Sequence, residues 1–121
     1  MPDSPQPESA SPPVLQDRLH QIAQLLRQTH HLGPQAQQAL ARLADELGEV
    51  PEMATLPSAE VTQLLERTTA LVEALHRQQK ASRLAAARDR LEQAVYVTGA
   101  QAPLVAGVAR RLLDTLANLG I

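Results

Sequence analysis

Four histidines, His20, His30, His31 and His76, are the side chains of this 121-residue sequence best suited to hold a metal ion. A histidine site needs ligands that share one face of an element, as His-x-x-x-His does on a helix. His30 and His31 are adjacent, so on any regular element they point apart, and neither has a ligand four residues on. His20 sits beside Leu19 on an apolar stripe and reads as a helix-flank residue. No metal site is expected. Thiolate chemistry and disulfides are excluded outright, because the chain has no Cys.

Nucleophilic catalysis by serine needs a strained turn with a base beside it. Ser4, Ser9 and Ser11 lie in a proline-rich start, Ser58 at a helix-cap position and Ser82 on a basic stretch. The five glycines are isolated, so no Gly-rich phosphate loop is present. The sequence therefore predicts no enzyme and no cofactor.

Charge offers one more chemistry. Residues 1–75 carry 4 basic and 10 acidic groups, whereas residues 76–121 carry 7 basic and 3 acidic ones. Arg77, Lys80, Arg83, Arg88 and Arg90 form the densest basic segment, a candidate contact for a polyanion through displacement of phosphate counterions. Against that reading stand a sequence pI near 6.0 and the lack of any interleaved aromatic for base stacking. The solvated face of a long helix accounts for the same residues. A third reading has the oppositely charged halves meeting each other, within or between chains.

The elements that must carry these residues are helices. Leu and Ala number 20 each, Phe and Trp are absent and there is one Tyr, a composition of helix formers rather than strand formers. Residues 1–13 contain five prolines and little to bury, which predicts a disordered tail ahead of a single helical domain over 14–121. The tail lacks the basic start and apolar core of a signal peptide. The longest apolar run, Leu104–Ala109, is far short of the ~20 residues of a membrane span, so a soluble, cytoplasmic protein is expected.

Apolar spacing predicts helices over about 14–30, 34–47, 58–98 and 103–119. The first carries Leu15, Leu19, Ile22, Ala23, Leu25 and Leu26. Pro34 opens the second, which turns Ala36, Ala39, Leu40, Leu43 and Leu47 inward and ends on Gly48 as a left-handed cap. Ser58 is the predicted N-cap of the third, with Glu60 in its first turn. Gly99 ends that helix, Pro103 opens the last and Gly120 closes it.

The third helix changes face. Val61, Leu64, Leu65, Thr68, Leu71, Val72 and Leu75 form one stripe, and Leu84, Ala87, Leu91, Ala94 and Val95 another. Their centres differ by roughly 130° at ~100° per residue. Either the two halves face different partners or the helix breaks near 78–82. In both cases a single four-helix bundle fits poorly, and a core shared with a second copy of the chain is expected. Leu84, Leu91, Val95, Val105, Leu112 and Leu116 are the candidate self-association residues. The predicted function is a non-enzymatic module that forms a homo-oligomer, a dimer first, or binds another protein. Nucleic acid is the alternative partner. A lipid surface ranks last, because the second half of the third helix offers mainly alanine.

Residues Leu84 to Ile121, ending in Leu112-Leu113-Asp114-Thr115-Leu116-Ala117-Asn118-Leu119-Gly120-Ile121, resemble the closing hairpin of a small bacterial family, domain of unknown function 4404. Leu19-His20, the Gly33-Pro34 turn and the Leu40/Leu43/Leu47 helix are similar to that family's N-terminal hairpin. The family usually carries an aromatic-Glu pair and a His-Pro pair before the last helix, where this chain has Val97-Thr98 and Gln101-Ala102. Residues 50–83 look like an insertion. The resemblance implies a small, soluble, helical protein and brings no activity with it.

Overall fold

Proline at the first turn of a helix loses nothing, since the first amide groups have no partner inside the helix. Three of the five α-helices start this way: α1 (Pro12–Arg27), α2 (Pro34–Glu49) and α5 (Pro103–Asn118). Between them in sequence come α3 (Ala59–His76) and α4 (Ala81–Thr98), and a one-turn 3-10 segment, His30–Leu32, links α1 to α2. The computed structural model describes residues 12–51 and 59–120, and the fold is all-α over these residues. Pro12 and Pro13 thus begin α1 instead of ending a tail. The rest of the predicted tail and the predicted cap Ser58 lie outside the described residues.

Gly33 makes the first sharp turn. Its φ of 89° and ψ of 154° lie in a region essentially reserved for glycine. The turn brings Gln37 back over the end of α1. The buried Gln37 amide donates to the Arg27 carbonyl at 2.7 Å and closes α1's last turn. Gly48, by contrast, is not the left-handed cap expected of it. It is helical, α2 runs on to Glu49, and Val50 forms the cap. A Cβ at Gly48 would stand 3.5 Å from the Leu19 Cβ, an ordinary packing contact, so the site has room for a methyl group.

The long third helix is broken. α3 stops at His76 and α4 starts at Ala81, with neither Gly nor Pro between them. The stop is a Schellman turn: Gln79 N–H donates to the Ala74 carbonyl at 3.0 Å and Gln78 N–H to the Leu75 carbonyl at 3.1 Å. Gln78 adopts φ 54°, the only positive φ of a non-glycine residue among those described. A side chain there costs roughly 1–2 kcal/mol of steric strain. Gln78→Gly is therefore expected to raise stability by about 1 kcal/mol, read as a higher thermal midpoint with unchanged helicity. A lower midpoint would show that the Gln78 side chain, which donates to His31 Nδ1 at 3.3 Å, outweighs the strain.

The break lets α4 fold back antiparallel on α3, and the helices then close a ring. Each packs against two others, in the order α1, α3, α4, α5, α2 and back to α1. The α3 stripe points to the middle as read from the sequence, with all seven of its residues buried. Leu15, Leu19, Leu40, Leu47, Leu91, Leu112 and Leu116 fill the same core. Ala39, counted as inward from its spacing, is exposed, and so is Leu119 after the end of α5. The reorientation at Gln78 is what the four-helix reading lacked. Five helices of 16 to 18 residues enclose one core within a single chain.

Candidate functional site

Ring closure decides which predicted site residues remain accessible. Leu91, Val95, Val105, Leu112 and Leu116 are buried in the chain's own core, where they hold α4 and α5 to the other helices. They are not on a surface that a second chain could reach. Leu84 alone of that set is half-buried, at the edge of the core.

The basic residues are dispersed. Arg77 and Lys80 are exposed around the α3–α4 turn. Arg88 lines the groove between α4 and α5, whereas Arg90 lines the one between α4 and α3, next to Arg67. Neighbours on opposite flanks of a helix cannot address one phosphate backbone together, so the five cations do not make a single stripe.

The histidines form polar ties instead of a ligand set. Thr29 donates its only hydroxyl proton to the Leu25 carbonyl at 2.7 Å, so at 3.1 Å His76 Nδ1 must donate to Thr29. That contact links the end of α1 to the end of α3. Among the described residues no three His, Asp or Glu side chains converge as metal ligands would.

His20 and Arg27, on α1, both donate to Asp45 on α2, at 3.3 and 2.8 Å. Partial burial pushes the Asp45 carboxyl up, but the hydrogen bonds and charges of Arg27 and His20 outweigh it and hold the group below its ordinary value. A carboxyl depressed in the folded state adds stability above its unfolded pKa and loses it as pH falls through the folded one. Asp45→Asn should then cost at most ~1 kcal/mol at neutral pH, the scale of a partly exposed pair. The variant should also lose less stability than the parent chain on acidification below about pH 4. Parallel acid melts of the two chains check this. Equal slopes would assign the contact no role.

What spacing did not single out is the outer face of the α4–α5 hairpin. Tyr96, the one aromatic of the chain, is 83 % exposed. Val97 beside it and Leu104 at the start of α5 are exposed as well. An open groove of about 720 Å³ runs past Tyr96, lined by Asp89, Glu92 and Gln93 of α4 and Arg110 of α5. Toward the start of α4 a smaller hollow of about 550 Å³ is lined by Ala81, Leu84, Ala85 and Arg88, with Ala117 and Gly120 from the far end of α5. A third groove, about 620 Å³, separates the end of α2 from the start of α5 and is bridged by an Arg111–Glu46 ion pair. A signal for Tyr96 existed in the sequence: it falls opposite Leu91, Val95 and Thr98 on the α4 wheel, where a soluble helix ordinarily places a polar residue.

No helix among the described residues is long and apolar enough to cross a membrane. No curated protein and no solved structure matches the chain. A family profile does match, over residues 36–121, from the first turns of α2 to the C-terminal residue. The Leu19-His20 and Gly33-Pro34 likeness precedes that stretch, and residues 50–83 fall inside it. With most of its length so matched, the chain belongs to the family described as Domain of unknown function (DUF4404).

Proposed function

We propose that this protein is a non-enzymatic interaction module whose working surface is the outer face of the α4–α5 hairpin. The observation that carries the reading is the exposure of Tyr96 beside Val97. A tyrosine that leaves most of its surface in water on a closed helical ring adds nothing to the core. Tyrosine combines large contact area with few rotatable bonds, and is enriched where proteins meet. Packing of helix against helix is the chemistry this face offers, since small and apolar residues alternate along it with charges of both signs.

Site-specific photo-crosslinking tests the proposal. A benzophenone amino acid in place of Tyr96, in the full chain and in the cells that make it, should give protein adducts of discrete mass. The same group at exposed Glu66, on α3, should not. Equal yields at both positions would overturn the reading.

A further inference from the structure

The α4 face is complementary to itself. Ala81, Ala85, Arg88, Glu92 and Tyr96 follow one another at steps of three or four residues, so they share one flank of the helix. At the level of Arg90 this flank has a midpoint. Tyr96 lies six residues after it and Leu84 six before, with Ala85 adjoining. Glu92 lies two after and Arg88 two before. A helix meeting a copy of itself antiparallel, about a two-fold axis at that level, sets equally displaced positions face to face. Each Tyr96 then enters the hollow floored by Leu84, Ala85 and Ala117 of the other copy, ~9 Å along the helix from the axis. Each Glu92 meets the other copy's Arg88.

We infer that this chain forms a symmetric homodimer through antiparallel pairing of α4, with Tyr96 as knob and the Ala81/Leu84/Ala85/Ala117 hollow as socket. The inference rests on the reading of this face as an interaction surface and names the partner, a second copy. Three features favour a copy over an unrelated helix. Knob and socket stand on the same face and are matched in spacing. The charges are matched too, and by symmetry the Arg88–Glu92 pair is made twice. The alanines at 81 and 85 permit close approach of the two axes. Arg110 of the same chain already lies 3.9 Å from Glu92 and flanks the pair. Two like-charge contacts accompany the pairing: Asp89 meets its copy near the axis, where Arg88 of both copies brackets it, and Arg110 shares Glu92 with the other copy's Arg88.

Mass measurement by light scattering across micromolar concentrations, with the full chain, is the test. The parent chain should show twice its single-chain mass of 13.1 kDa. Ala85→Arg blocks the socket and Tyr96→Lys removes the knob. Both positions are exposed on a helix, so the circular dichroism should be unchanged while the dissociation constant rises roughly tenfold or more. Arg88→Glu and Glu92→Arg each set like charges face to face and should be monomeric alone. Mixed together they restore two opposite-charge pairs and should dimerise, which altered folding of either chain could not produce. A dimer that ignores Ala85→Arg and Tyr96→Lys, or a mixture that stays monomeric, would overturn the pairing. A monomeric parent chain that still gives Tyr96 crosslinks to other proteins would overturn it too and leave the interaction surface standing. Loss of those crosslinks removes both.

Discussion

Leu112→Ala is expected to lower the unfolding free energy by about 2–5 kcal/mol, the cost of a lost buried leucine plus the cavity it leaves. Leu112 is 1 % exposed and lies in the same core as Leu91, Leu116 and the α3 stripe. It sits on α5, which touches both α4 and α2, so its cavity cannot be filled by shifting one neighbour alone. For a domain whose whole stability is about 5–15 kcal/mol, that loss is a large share. Leu112→Arg goes further, because an unpaired charge in that core has no partner to offset its desolvation. The chain should then be unfolded at room temperature. Urea melts followed by circular dichroism measure the first effect, and the helical signal without denaturant measures the second. If Leu112→Arg kept its helicity and only halved its mass, Leu112 would belong to an interface and the core described above would be wrong.

Gly33→Ala comes next, at about 1–3 kcal/mol, the cost of holding a side chain where backbone angles belong to glycine alone. Nothing lies within 4 Å of a Cβ built at Gly33, so the penalty arises from the backbone and not from a clash. That makes the position informative in pair with Gly107, which also has open space around it but sits inside α5. Gly107→Ala should stabilise by about 0.5–1 kcal/mol through helix propensity. The two substitutions add the same methyl group and should move the thermal midpoint in opposite directions. A shift of the same sign in both would contradict the turn geometry that places Gln37 over the end of α1.

Much of the fold could be read from spacing. The all-α class, the α1–α2 hairpin, the whole α3 stripe and the Pro34, Pro103 and Gly120 boundaries follow from periodicity and from proline and glycine chemistry. The α3–α4 turn did not show itself because its signal is normally a glycine, and here Gln78 takes the left-handed position. The change of stripe between Leu75 and Leu84 was the trace it left, and both a break and a change of partner fit that trace. Gly48 misled for the converse reason: a glycine near a helix end need not cap it, and here the helix runs one residue further with Val50 as its cap. The candidate surface was hidden more deeply. Spacing identifies residues that point inward, so it selected Leu91, Val95, Val105, Leu112 and Leu116, which the chain uses for itself. The exposed face of α4 became visible only once the ring assigned every helix its two neighbours.

That ring also bears on how the chain reaches its native state. Three of its five seams, α1–α2, α3–α4 and α4–α5, join helices consecutive in sequence, and only α1–α3 and α2–α5 join distant ones. Contacts so local place the protein among domains that fold in microseconds to milliseconds. The α2–α5 seam spans the longest stretch of chain and so closes at the highest loop entropy. It is the seam to form last and open first. Strengthening it, at Glu46 and Arg111 for example, would slow unfolding while leaving the folding rate nearly unchanged.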